Sequence, residues 1–386
     1  IYTLSLHDAL PIYQPGSPAE VNLNETEIVN MRIAREADVP VLLVTDVDRG
    51  GSLASVVGTL ELLGADRKRV KGVIFNKFRG DPVLFAPAVE WLEARTGVRV
   101  IGVMPWVEGA SIAGEDSLGL RWGRGGRGAL SVGVIRFPGI SNFTDLDPFE
   151  SEPDVDLVGL DSGTPLKMLR SLDAVILPGS KNSMRDMSWL RETGLAEVLR
   201  AFADAGGFVL GLCGGYQMMG RRLEDPDLRE NSELRGIDGL GLLPIVTEFR
   251  AGVKTTVCVS GALNPKLNPN PNPAEAPLPV EGYEIHFGRT VPDAGASGEP
   301  LFILADGRTE GLGTEDLRIA GTYLHGVFEN DRFRGLWLNA LRRARGLEER
   351  PAADTAGRKE RAYDALAAAV ERHLDVNGIL GFMGLS

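Results

Sequence analysis

Cysteine is nearly absent from this chain, which has two, Cys213 and Cys258. That excludes a disulfide framework and a cysteine-rich zinc site, and it fits a reducing compartment. Long apolar runs are missing as well: nothing approaches the roughly 18–20 residues that span a bilayer. The N-terminus lacks the basic-then-apolar pattern of a secretory signal. Basic residues are outnumbered, 41 against 53 acidic, for a net charge of −12. A broad nucleic-acid footprint or adhesion to an anionic membrane needs the opposite sign. Together these shortages point to a cytoplasmic protein with no nucleic acid, membrane or metal centre to serve, though a local pocket for an acidic small molecule stays open. Histidine is scarce too, with only His7, His286, His325 and His373, so a catalytic base has few candidates.

At 386 residues the chain exceeds the size at which single cores stop growing, so two domains are expected. Apolar strands at 39–44 (VPVLLV), 70–75 (VKGVIF) and 98–103 alternate with helix-like stretches at 53–63 and 83–95. That alternation reads as βαβ units, hence an α/β domain with a parallel sheet. Residues 119–129, opening with GLRWGRGGRG, break the pattern as a linker. A second α/β series follows, with strands at 131–135, 174–177, 207–212, around Tyr283 and at 319–323. A Pro/Asn-rich segment at 264–279 reads as a surface loop, and 363–374 as an amphipathic C-terminal helix. The domains are thus 13–118 and 130–386. Residues 1–12 (IYTLSLHDALPI) join nothing that follows and read as a translated adapter, so the native N-terminal portion is expected to be missing.

The most informative string is Gly207-Phe-Val-Leu-Gly-Leu-Cys213-Gly214-Gly215-Tyr216-Gln217. A buried strand runs straight into a cysteine, two glycines and a helix. A sharp strand-to-helix turn of this kind exposes a nucleophile at the carboxyl edge of a sheet, and the glycines relieve the crowding. The helix start offers backbone N–H groups to an oxyanion. Cys258, in the strand-like KTTVCVS, reads instead as a buried small hydrophobe.

A cysteine nucleophile needs a base. His7 falls in the leader and His373 on a surface helix. His325 ends a strand before a glycine, which lets its ring reach over a sheet edge; His286, in YEIHFG, is the alternative. A further strand ends in Leu177-Pro178-Gly179-Ser180, delivering backbone donors to the same edge.

Four strings, LPGSKNS, GLCGGYQMMG, GYEIHFGRT and GTYLHGVFEN, resemble the glutamine amidotransferase domain of the cobyric acid synthase family, and RFPGISNFTDLDPFE (136–150) extends the likeness. GSPAEVNL (16–23), DVDRGG (46–51) and NKFRGD (76–81) carry it into the first half. The resemblance implies a class I amidotransferase, flavodoxin-like second domain. Its nucleophile is Cys213, its base His325, and its oxyanion donors Gly179 and Gly214. It implies a dethiobiotin-synthetase-like P-loop NTPase as the first domain, here truncated and without its phosphate loop. Gly252-Val253-Lys254-Thr255-Thr256 only mimics such a loop, because its glycine is out of register.

The resemblance further implies ATP and Mg²⁺ in the intact enzyme, with that site lost here, and no bound organic cofactor. Asn76 and Lys77 are expected at the adenine. Asp46, Asp48 and Arg49 are expected at the acidic substrate or at a domain interface. The reaction implied is glutamine-dependent, ATP-driven amidation of corrinoid carboxylates on adenosylcobyrinic acid a,c-diamide, this chain keeping the glutaminase half. The alternatives are the a,c-diamide synthase, a cysteine hydrolase of similar architecture, or an inactive fragment. In the wider class a glutamate two residues after the histidine orients it; here that place holds Val327. Glu284 and Glu329 are open candidates for the role.

Overall fold

A computed structural model describes residues 16–22, 30–48, 50–108, 129–230, 234–250, 256–268, 277–293 and 298–385. The leader, Arg49, all of the linker but residue 129, and residues 252–255 of the loop mimic lie outside that set. The chain divides into two compact units, one of residues 1–112 with 358–386 and one of residues 113–357.

In the first unit, Val41–Asp46, Val70–Phe78 and Arg99–Pro105 form a three-stranded parallel sheet in sequential order. The expected helices are present as Ser52–Leu62 and Pro82–Thr96. They cover one face with Val56, Leu60 and Leu92, against Val73 and Phe75. The opposite face carries Ile74, Ile101 and Met104, and it is covered by the C-terminal tail through Leu366, Ala369 and Val370. The sequence grouped that tail with the second domain; the structure packs it here. A parallel sheet is apolar on both faces and needs a layer on each, and the helix Thr355–His373 supplies the second one.

The second unit is built on a six-stranded sheet. Its order is Leu312–Gly313, Ile319–Thr322, Phe208–Leu212, Ala174–Leu177, Leu130–Ile135, Val155–Leu160. All neighbours are parallel except the first pair. Alternation along Leu130–Ile135 sends Leu130, Val132 and Val134 into one core and Ile135 into the other, as period-two side chains on a doubly covered sheet must go. The helices Ser183–Glu192 and Leu195–Asp204 fill the second core, and Asp331–Ala344 the first.

Tyr283 does not join this sheet. It lies in Pro279–Ile285, the fourth strand of a separate antiparallel sheet ordered Thr309–Glu310, Phe302–Leu304, Thr256–Leu263, Pro279–Ile285, Leu324–His325. The Pro/Asn-rich segment is not all surface loop either. Leu267 and Leu278 at its two ends are buried in the first core, on either side of residues 269–276, which lie outside the description.

The two sheets meet at Tyr323, where the chain leaves Ile319–Thr322 and enters Leu324–His325. A chain changing sheets strands its backbone donors. Here the buried Glu310 carboxylate accepts the Tyr323 N–H at 2.6 Å and the Thr322 hydroxyl at 2.5 Å. Burial pushes the Glu310 carboxyl up to about 7.

Candidate active site

Cys213 follows the strand Phe208–Leu212 with φ 51° and ψ −108°, left-handed backbone that a non-glycine residue rarely adopts. The helix Gly214–Met219 begins at the next residue. A Cβ at Gly215 would run into the Leu177 carbonyl, and one at Gly214 would sit 2.8 Å from the Ser180 Cβ. Side chains at either place would push the helix off the neighbouring strand and open the turn. The Cys213 N–H donates to the Thr322 carbonyl at 2.8 Å, tying the nucleophile to the strand that leads to His325.

His325 is 1% exposed and Cys213 8%. Cys213 is near enough to influence the charge of the ring, and its Sγ donates to the Ile285 carbonyl at 3.7 Å. Its Nδ1 lies 2.7 Å from Asp145 Oδ2, and the other Asp145 oxygen accepts the Gly326 N–H at 2.7 Å. Gly326 has φ 77°, a left-handed turn that swings its N–H to the same carboxylate. Burial disfavours a charged ring, but the Asp145 hydrogen bond and the neighbouring Cys213 thiol outweigh it and push the His325 pKa up to about 10. The Tyr283 ring stacks on the imidazole, centroids 5.1 Å apart.

An aspartate meets Nδ1. The Glu284 carboxylate faces Arg308 at 3.3 Å, and Asp145 occupies the ring nitrogen. Asp145 comes from the 3-10 segment Phe143–Ser151, whose Phe143, Leu146 and Phe149 pack against the first core. The sequence signal was an acidic residue among those apolar ones, but Asp147 beside it offers the same signal.

His286 is held elsewhere. Its ring stacks on Tyr323 at 3.8 Å and its Nδ1 lies 3.1 Å from the Gly288 carbonyl. Burial lowers its pKa. Gly179 belongs to the two-residue strand Gly179–Ser180, paired with Ile140–Ser141. A Cβ there would lie 3.4 Å from the His325 ring, so Gly179 sits beside the imidazole. Cys258, expected to be buried, is instead exposed, because the start of its strand Thr256–Leu263 faces outward, and it pairs with Tyr283.

The first-half residues form their own group. Asp46 ends its strand with Oδ2 2.7 Å from Lys77 Nζ and Oδ1 accepting the Asp48 N–H. Asp48 meets Arg79 at 3.1 Å. The Asn76 side-chain oxygen accepts the Lys77 N–H at 2.9 Å. Asp46, Asp48, Asn76 and Lys77 are therefore brought to one sheet edge. Among the described residues no group of three His, Cys, Asp or Glu could hold a metal, and no helix is long and apolar enough to cross a membrane.

Comparison with known proteins supplies a second line of observation. The CobB/CobQ-like glutamine amidotransferase domain family matches residues 131–333, and an AAA domain family matches residues 16–111. The chain is 45% identical over 381 residues to the cobyric acid synthase of Anoxybacillus flavithermus, covering 97% of this chain and 72% of that protein. It is 46% identical over 382 residues to the cobyric acid synthase of Geobacillus kaustophilus, with the same two coverages. With that of Pelotomaculum thermopropionicum the identity is 43% over 398 residues, 98% of this chain and 73% of the relative.

Proposed function

Because the chain belongs to the cobyric acid synthase family of glutamine-dependent amidotransferases in cobalamin biosynthesis, we propose that Cys213, His325 and Asp145 hydrolyse glutamine to supply ammonia for amidating a corrinoid carboxylate. The observation that carries this reading is the buried constellation itself: a cysteine on a strained elbow, a neighbouring histidine, and a carboxylate on that histidine's Nδ1.

The chemistry follows from those three groups. The thiol proton passes to His325 Nε2 and the sulfur attacks the side-chain amide carbon of glutamine. The carbonyl oxygen gains the charge, and backbone N–H groups at Gly214 and Gly179 are the donors proposed to receive it. His325 then returns the proton to the nitrogen, the C–N bond breaks, and ammonia leaves a glutamyl thioester. Water, deprotonated by the same ring, cleaves the thioester to glutamate and restores the thiol. Asp145 keeps the proton on Nδ1, so that Nε2 is the nitrogen left to take the thiol proton, and it stabilises the cationic ring at each transfer.

The 43–46% identity with cobyric acid synthases supports the a,c-diamide of adenosylcobyrinic acid as the carboxylate substrate, in preference to the earlier corrinoid taken by an a,c-diamide synthase. The AAA-domain match supports nucleotide use by the first unit. ATP, when bound, supplies the phosphate that makes a carboxylate electrophilic. The residues present do not fit its phosphates or a Mg²⁺ ion. The sequence holds no Gly-Lys-Ser/Thr loop, Lys77 is engaged by Asp46, and no metal-ligand group occurs among the described residues. Asn76 is the proposed adenine contact.

The test is glutamate release from glutamine by the purified chain and by Cys213→Ala. Hydrolysis that disappears in the variant is expected. Hydrolysis that persists in it contradicts the assignment of the nucleophile.

A further inference from the structure

Asn142 stands at the N-cap of the 3-10 segment Phe143–Ser151 in left-handed backbone, φ 52° and ψ 40°. An asparagine at that place ordinarily accepts a hydrogen bond from a backbone N–H two or three residues on. This one makes no such cap. Its side-chain amide lies 3.0 Å from His325 Nε2 instead. Three residues later Asp145 holds the other ring nitrogen at 2.7 Å, and the Asp145 N–H returns to the Asn142 carbonyl at 3.1 Å. One turn of backbone therefore grips both nitrogens of the base.

The two grips differ in kind. An ionised carboxylate only accepts, so Nδ1 carries a proton throughout. Nε2 is the atom that changes: a bare acceptor in the neutral ring, a donor once it has taken the thiol proton. A carboxamide can face both states. Its NH₂ donates to the bare nitrogen, and after a half-turn about its last bond its oxygen accepts from N–H. We infer that Asn142 is a positioning residue for glutamine hydrolysis, holding the His325 ring through Nε2 in both protonation states so that its place beside Cys213 is kept. The inference deepens the amidotransferase reading and rests on it. Asn142 acts through the base and forms no bond to glutamine.

The titratable groups around the ring are Asp145, Cys213, Tyr283 and His286. A new charge at 142 would therefore register in the pH behaviour of the thiol and ring. The informative variants are Asn142→Gly, which removes the amide but tolerates the left-handed backbone, and Asn142→Asp, which is isosteric and cannot donate. Two measurements are made on each. One is kcat and KM for glutamine; the other is the pH dependence of Cys213 alkylation by iodoacetamide.

Asn142→Gly is expected to lower kcat by about tenfold or more while KM stays within about twofold, since a misplaced base slows proton transfer without weakening substrate binding. Asn142→Asp is expected to move the rising limb of the alkylation profile up by about one pH unit, because a second carboxylate opposes loss of the thiol proton. Asn142→Gly is expected to leave that limb in place. Should the glycine variant not fold, the isosteric variant decides alone.

Wild-type kcat in Asn142→Gly, or an unmoved limb in Asn142→Asp, overturns the role. The control separates the two levels of the argument. Wild-type hydrolysis that is absent, or that survives Cys213→Ala, overturns the amidotransferase reading and this inference with it. Hydrolysis that needs Cys213 but ignores Asn142 overturns the inference alone.

Discussion

His325 and Asp145 are 180 positions apart in the sequence and 2.7 Å apart in the structure, with side chains 1% and 2% exposed. The carboxylate arrives from a segment between two strands of the parallel sheet, the ring from the strand that leaves that sheet. Where the wider amidotransferase class places its glutamate, two residues after the histidine, this chain has the fully buried Val327. A valine there packs the core, and the acidic partner comes from residue 145.

Asp145→Asn is expected to cut the glutaminase kcat by roughly 10²–10⁴-fold with little change in KM, the scale of removing the carboxylate from a comparable triad. Glu284→Gln is expected to stay within a few-fold of wild type, because Glu284 pairs with Arg308 and not with the ring. Steady-state kinetics on both variants check this, and the reverse ranking would move the orienting role to Glu284.

The two histidines make a second contrast. His325→Ala is expected to abolish hydrolysis. His286→Ala is expected to leave the glutaminase step largely intact and to cost stability, roughly 1–3 kcal/mol, through loss of the ring stacked on Tyr323. Activity assays paired with thermal melts separate the two outcomes. A folded but inactive His286→Ala would show that the wrong ring has been assigned.

The charge state of His325 should also appear in stability. Its pKa is raised in the fold from 6.5 to about 10. A raised histidine binds its proton more tightly folded than unfolded. Its stabilisation is therefore complete below 6.5, declines as pH climbs, and is gone above about 10. Between pH 7 and 10 the wild-type melting temperature is expected to fall more steeply than that of Asp145→Asn, which lacks the carboxylate supporting the charge. Parallel slopes for the two proteins would contradict the ion pair.

Much of this site is local in the sequence, and that part was readable. The elbow is set by residues 207–217, since strand, nucleophile, glycines and helix are contiguous. The βαβ rhythm of the first half likewise declares its three strands and two helices. What escaped depends on distant parts of the chain meeting. Asp145 and Asp147 look alike in sequence, and only the fold turns the first toward His325. Tyr283 reads as a strand residue in either sheet. The tail is an amphipathic helix wherever it docks, and the uncovered face of the first sheet decides the matter through Ile74, Ile101 and Met104. Asn142 reads as an ordinary turn residue until its amide is seen on Nε2.

The most direct measurement is mass spectrometry of the intact chain after treatment with 6-diazo-5-oxo-norleucine, a glutamine-mimicking electrophile, with and without excess glutamine. Cys213 and Cys258 serve as site and internal control, one buried on the elbow and the other exposed on a strand. An adduct on Cys213 alone, suppressed by glutamine, is the expected result. Labelling of Cys258 in preference to Cys213, or labelling of Cys213 that glutamine does not suppress, would contradict a glutamine-binding nucleophile at this site.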